Sequence, residues 1–102
     1  MTILDKIVLD KRKEVDLRKS IIPVSQLETS VLFNRDTHSL ANRLGNSTSG
    51  IIAEHKRRSP SKSVINQSLN VQDVASGYEK AGACGMSILT DAKYFGGSLD
   101  DL

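Results

Sequence analysis

The amino-acid sequence predicts an α/β protein in which an N-terminal helical extension, residues 1–50, precedes a strand–helix–strand unit over residues 51–102. Three observations carry that expectation. Ile51 to Lys56 is an apolar strand that runs straight into a charged loop. From Asn70 to Gly82, the residues Val71, Val74, Ala75, Tyr78 and Ala81 recur at helical spacing. Ala83 to Thr90 is a short run whose larger apolar members are Cys84, Met86, Ile88 and Leu89, the pattern of a buried strand. A strand, a crossover helix and a second strand in this order form a βαβ unit, with parallel strands and a right-handed crossover.

The extension reads as short helices. Thr2 and Asp5 have capping-box spacing, and Leu4, Ile7, Val8, Val15 and Leu17 give a partial apolar stripe for a helix from about Ile3 to Lys19. Its other faces are charged, and Glu14 and Arg18 stand in the favourable i,i+4 order. Pro23 ends the segment; Ser25 and Glu28 then suggest a second capping box for a helix from Gln26 to about Leu32. A third, from about Ser39 to Leu44, is expected to stop at Gly45. The polar stretch Gly45 to Gly50 is the connector into the first strand.

Composition narrows the function classes. The 102 residues carry 14 Lys plus Arg against 12 Asp plus Glu, a formal charge of +2 that gives no case for nucleic acid. Two Tyr, two Phe and no Trp supply little for base stacking. Cys84 is the only cysteine, which excludes an intrachain disulfide and points to a reducing compartment. No signal-peptide core is visible and no apolar run approaches the ~18 residues of a membrane span, so a cytoplasmic protein without membrane contact is expected.

Chemistry is expected where the first strand meets its loop. Alternation puts Glu54 and Lys56 on one face and Ala53 and His55 on the other. Ser59, Pro60 and Ser61 form a stiffened turn with two hydroxyls, close to the cations of Lys56, Arg57, Arg58 and Lys62, a setting suited to an anionic group. Spacing alone leaves other readings open. Glu54 and Lys56 also suit an ion pair at a strand end, Leu89 and Phe95 suit core packing, and Gly96-Gly97 suits a flexible turn.

The run IIAEHKRRSPSKSVI, followed by SILTDAKYFGGSLDDL, resembles the start of the barrel in the indole-3-glycerol phosphate synthase family of tryptophan biosynthesis. The opening MTILDKIVLDKRKEV resembles that family's N-terminal extension. The resemblance implies the first βαβ unit of a TIM (β/α)8 barrel. A whole barrel takes on the order of 250 residues, so the chain is expected to be a piece truncated at the start of the second barrel helix. That start is where Ser98 and Asp101 have capping-box spacing.

The resemblance also implies a reaction. It is the ring closure of 1-(2-carboxyphenylamino)-1-deoxyribulose 5-phosphate to indole-3-glycerol phosphate, a carbon–carbon lyase step that loses carbon dioxide and water. Lys56 matches a strand-one lysine that holds substrate anions and contributes to the acid chemistry, and Glu54 a glutamate that orients the reacting hydroxyl and neighbouring lysines. Ser59, Pro60 and Ser61 match the loop at the substrate entrance; Leu89 and Phe95 match the apolar pocket for the anthranilate ring. No metal or organic cofactor is implied. Ser63 stands where the family usually has glycine, so a need for positive φ there would strain the loop. The family's strand-three lysine, strand-five glutamate and phosphate loops have no counterpart here, so the piece alone is expected to be inactive and to form homo-oligomers or require the rest of the barrel. The alternative reading is a non-catalytic self-association module; a weaker one is an anion- or RNA-binding module built on the same four cations.

Overall fold

In the computed structural model, which describes all of residues 1–102, the first helix, α1, spans Ile3–Ile21. The expected capping box forms: Thr2 Oγ1 accepts from Asp5 N at 3.1 Å and Asp5 Oδ2 accepts from Thr2 N at 2.9 Å. The Thr2 backbone N–H, then its hydroxyl, hold the Asp5 carboxyl below its ordinary pKa. Glu14 draws Lys11 to 2.6 Å and Arg18 to 2.9 Å along the charged face. The helix ends as Ile22 N donates to Arg18 O at 2.8 Å and Pro23 follows.

Helix α2 is shorter than expected, Val24–Leu27, and no box forms between Ser25 and Glu28. Pro23 takes the N-cap position, so the helix starts early. It stops early because side chains bond locally: Thr29 Oγ1 donates to Gln26 O at 2.6 Å, and Ser30 Oγ accepts from Leu32 N at 3.3 Å. These helices belong to one compact unit, Met1–His38; Ser39–Leu102 forms another.

The second unit begins with α3, Leu40–Asn46, capped by Ser39 Oγ accepting from Asn42 N at 3.2 Å. Gly45 does not stop it; the helix ends one residue later, with Ser47 in extended conformation as its C-cap and its N–H on Leu44 O at 3.3 Å. The connector is ordered: Ser47 Oγ accepts from the N–H groups of Ser49 and Gly50, both at 3.2 Å, and Ser49 Oγ donates to Gly82 O at 3.2 Å.

Strand β1, Ile52–His55, pairs in parallel with β2, Gly85–Ile88, the α/β arrangement expected. Both strands are shorter than their apolar runs, although Cys84 N on Ile51 O (2.8 Å) and Leu89 N on His55 O (3.1 Å) extend the ladder at each end. The register sets Ile52 against Gly85, Ala53 against Met86, Glu54 against Ser87 and His55 against Ile88. Between them α4, Val71–Lys80, packs on both strands; Asn70 Oδ1 caps it from Gln72 N at 2.8 Å. Ala53 and His55 are the buried pair, and the alternation is as expected. Leu40 reaches the sheet where β2 has no side chain: a Cβ on Gly85 would lie 2.9 Å from Leu40 Cδ1. No helix is long and apolar enough to cross a membrane.

After β2, a four-residue helix, α5 (Ala92–Phe95), fills what the sequence pattern left as loop, capped by Asp91 Oδ2 accepting from Tyr94 N at 2.8 Å. The expected last helix is a single 3-10 turn, Leu99–Asp101, and Ser98 caps it with no side-chain bond. Asp101 has its carboxylate elsewhere. Arg57 Nε and Nη2 hold its two oxygens at 2.9 and 2.8 Å, in a fork only 15% and 13% exposed. Those bonds, then the nearby charge of Arg57, keep the Asp101 carboxyl below its usual range despite burial.

Asp101→Asn is expected to lower stability by about 2 kcal/mol near neutral pH, measured by urea denaturation. Because the folded-state pKa is depressed, that contribution is present above the ordinary carboxylate value and is lost as pH falls through the lowered one. Equal denaturation midpoints for the two chains at pH 7 would refute the assignment.

Candidate active site

Strand geometry assembles the site. On the open face of β1, Lys56 Nζ lies 3.2 Å from Glu54 Oε1, with the side chains 33% and 51% exposed. Paired positions in a parallel sheet share a face, so Ser87 lies beside Glu54, and the continued ladder brings Leu89 beside Lys56. Leu89 is half-buried, as is Phe95 at the end of α5. Phe95 is tied to the first loop, its carbonyl accepting from Arg58 N at 3.2 Å.

The serine turn folds on itself. Ser59 and Lys62 exchange backbone hydrogen bonds at 3.1 and 3.2 Å, Ser59 Oγ accepts from Lys62 N at 3.1 Å, and the hydroxyls of Ser59 and Ser61 are 3.3 Å apart. Pro60 and Ser61 are exposed, and no hydrogen bond joins this turn to Glu54 or Lys56. Ser63 imposes no strain, since no residue other than glycine has a positive φ.

Two of the four expected anion-binding cations face the protein itself. Arg57 is held by Asp101 and also donates to the carbonyls of Gln67 and Leu69 at 3.3 and 3.0 Å. Arg58 Nη2 donates to the carbonyls of Ala92 and Lys93 at 2.7 and 3.0 Å. Sequence reasoning treated both as generic positive charge. No local pattern marks an arginine whose partners lie from ten to forty-four residues away.

Gly96-Gly97 is not a loose hinge. Gly96 takes a left-handed φ of +65° at the end of α5, and buried Gly97 donates to Asp91 O at 2.9 Å. A Cβ on Gly97 would fall 1.9 Å from Leu89 O, so the backbone bearing Leu89 and Phe95 closes only around a glycine.

Comparison with known proteins agrees with the motifs. The family described as indole-3-glycerol phosphate synthase matches residues 4–102. This chain belongs to that family. An indole-3-glycerol phosphate synthase of Bacteroides thetaiotaomicron is 47% identical over 100 residues, covering 98% of this chain and 38% of the relative. One from Bacillus cereus is 44% identical over 101 residues, covering 99% and 37%. Ralstonia nicotianae has a relative named indole-3-glycerol phosphate synthase 2, 41% identical over 106 residues and covered to 40%. The chain thus spans about two fifths of the length of the curated relatives it matches.

Within this family member, Gly97→Ala is expected to disorder α5, which carries Phe95, by pushing the chain away from Leu89 O. Amide exchange at Gly96, whose N–H bonds Ala92 O at 3.0 Å, reports it. Rates within about twofold of the parent would show that position 97 tolerates a side chain after all.

Proposed function

We propose that these residues contribute the first strands of a (β/α)8 indole-3-glycerol phosphate synthase acting in the cytoplasm, with residues 1–50 as its extension and 51–102 as its first βαβ unit. The observation that carries this reading is the Glu54–Lys56 pair, 3.2 Å apart at the C-terminal end of β1 and beside the end of a parallel neighbour. Strand C-termini are where barrels of this class keep their chemistry.

The substrate, 1-(2-carboxyphenylamino)-1-deoxyribulose 5-phosphate, brings two anionic groups and a ketone. The ring carbon bearing the carboxylate attacks the ketone carbon, and the carbonyl electron pair moves to oxygen and takes a proton. Loss of carbon dioxide and then of that oxygen as water, with removal of a proton from the methylene carbon beside nitrogen, gives the indole. Lys56 offers positive charge for a substrate anion and a donor near the forming hydroxyl. Glu54, holding the ammonium by one oxygen, orients Lys56 and keeps a second oxygen for the hydroxyl. Leu89 and Phe95 form one wall for the aromatic ring; Ser59, Pro60 and Ser61 frame its entrance. The piece supplies these groups and no cofactor.

A chimera tests the assignment: residues 1–102 replace the matching stretch of the Bacteroides thetaiotaomicron relative, and indole formation is followed by fluorescence. Lys56→Ala is expected to lower turnover about a hundredfold or more and Glu54→Gln about tenfold. Near-parental turnover in both variants would remove these residues from the chemistry.

Exposed Ile51 and Ile52, 55% and 48% accessible beside a two-stranded sheet, support the proposal that the rest of a barrel covers this unit. Residues 1–102 taken alone are expected to be inactive and to self-associate. A catalytic or strictly monomeric preparation across dilution, seen by light scattering, would contradict that.

A further inference from the structure

We propose that Arg58 is a positioning residue that sets the aromatic-ring pocket at a fixed distance from Lys56; the proposal rests on the functional reading above. Helix α5 has four residues, too few to persist without outside support. Its last carbonyls need partners, and they carry the negative end of the helix. Arg58 supplies them. Its guanidinium bonds the carbonyls of Ala92 and Lys93 at 2.7 and 3.0 Å, and its backbone N–H bonds that of Phe95 at 3.2 Å. Main chain and side chain of one residue therefore grip three of the helix's four carbonyls.

The stem of the arginine is seated as well. A Cβ on Gly96 would lie 3.0, 3.1 and 3.2 Å from Arg58 Cγ, Nε and Cδ, so the side chain occupies the space that glycine leaves. Gly96 is thus required twice, by its φ of +65° and by the arginine lying over it. Arg58 follows Lys56 by two residues in the chain. Through it, the residue proposed to meet substrate anions is linked to Phe95, the residue proposed to meet the ring. Loss of the grip would leave Lys56 on its strand and let Phe95 wander, and displacements of about 1 Å are enough to cost substantial rate or affinity.

The test is a double-mutant cycle in the chimera, with amide exchange as a readout that needs no activity. Arg58→Ala is expected to raise KM about tenfold with kcat within about threefold, because Lys56 chemistry stays intact. In a Phe95→Ala background the same change should alter KM less than about twofold, since the arginine acts through that ring. Arg58→Lys, whose shorter stem ends in an ammonium and lacks the guanidinium lying over Gly96, should recover only part of the loss. Exchange at Gly96 and Gly97 should quicken in Arg58→Ala and return toward the parental rate in Arg58→Lys. Additive effects on KM, or unchanged exchange, would overturn the proposal. Faster exchange in a chimera whose activity ignores Lys56→Ala would instead retain the arginine's grip on α5 and remove the functional reading beneath it, and with that the pocket role would fall too.

Discussion

The parallel ladder between β1 and β2 is the constraint on which the second unit depends. Its register decides which side chains share a face, and a slip of one residue would carry Glu54 and Lys56 inward and His55 outward. Because Leu89 N bonds His55 O, the ladder continues to the residue where β1 gives way to its loop. Lys56 and Leu89 are neighbours for that reason, although thirty-two positions separate them in the chain. Helix α4, which joins the strands, is the connection that lets them run in the same direction.

Two consecutive arginines leave that ladder with different tasks. Arg57 turns to Asp101 and the carbonyls at Gln67 and Leu69, closing the long first loop back to the start of α4. Arg58 turns to α5. Each guanidinium presents several donors in a plane, which suits multiple fixed acceptors better than a single ammonium would. Their positive charge is therefore largely matched inside the protein, and the sequence's apparent cluster of four cations overstates the field available to a ligand. Lys56, whose partner Glu54 is half exposed, retains the position most suited to meeting one.

What the sequence disclosed follows the range of the interactions involved. Capping at Thr2 depends on a residue three positions away, and that box forms where the pattern placed it, while Ser39 and Asn70 cap α3 and α4 at the helix starts the pattern marked. Strand alternation is equally local, and Ala53 and His55 are inside as it required. The second capping box failed because Pro23 offered an earlier start, a competition between two local signals that spacing does not rank. Asp101 was beyond reach of such reasoning, since its partner Arg57 is forty-four residues away. Gly97 was misread for the same reason: its closeness to Leu89 O exists only once α5 folds the chain back on itself.

Energetically, the second unit relies on directed bonds to an unusual degree. Ala53 and His55 are the only buried residues with a side chain beyond glycine's hydrogen, and the imidazole Nε2 of His55 has no hydrogen-bond partner, an arrangement that costs roughly 1–3 kcal/mol. Apolar burial of that extent cannot by itself fix the loops that carry the candidate site. The forked Arg57–Asp101 pair, the Arg58 contacts with α5 and the side-chain caps each specify a distance and an angle, which apolar packing does not. Precision at the open end of the sheet therefore comes from polar groups, and two glycines provide the clearance those groups need. Gly96 lies beneath the Arg58 stem and Gly97 against the Leu89 carbonyl, so a methyl group at the first would press on the arginine that holds α5 and one at the second on the backbone that follows β2.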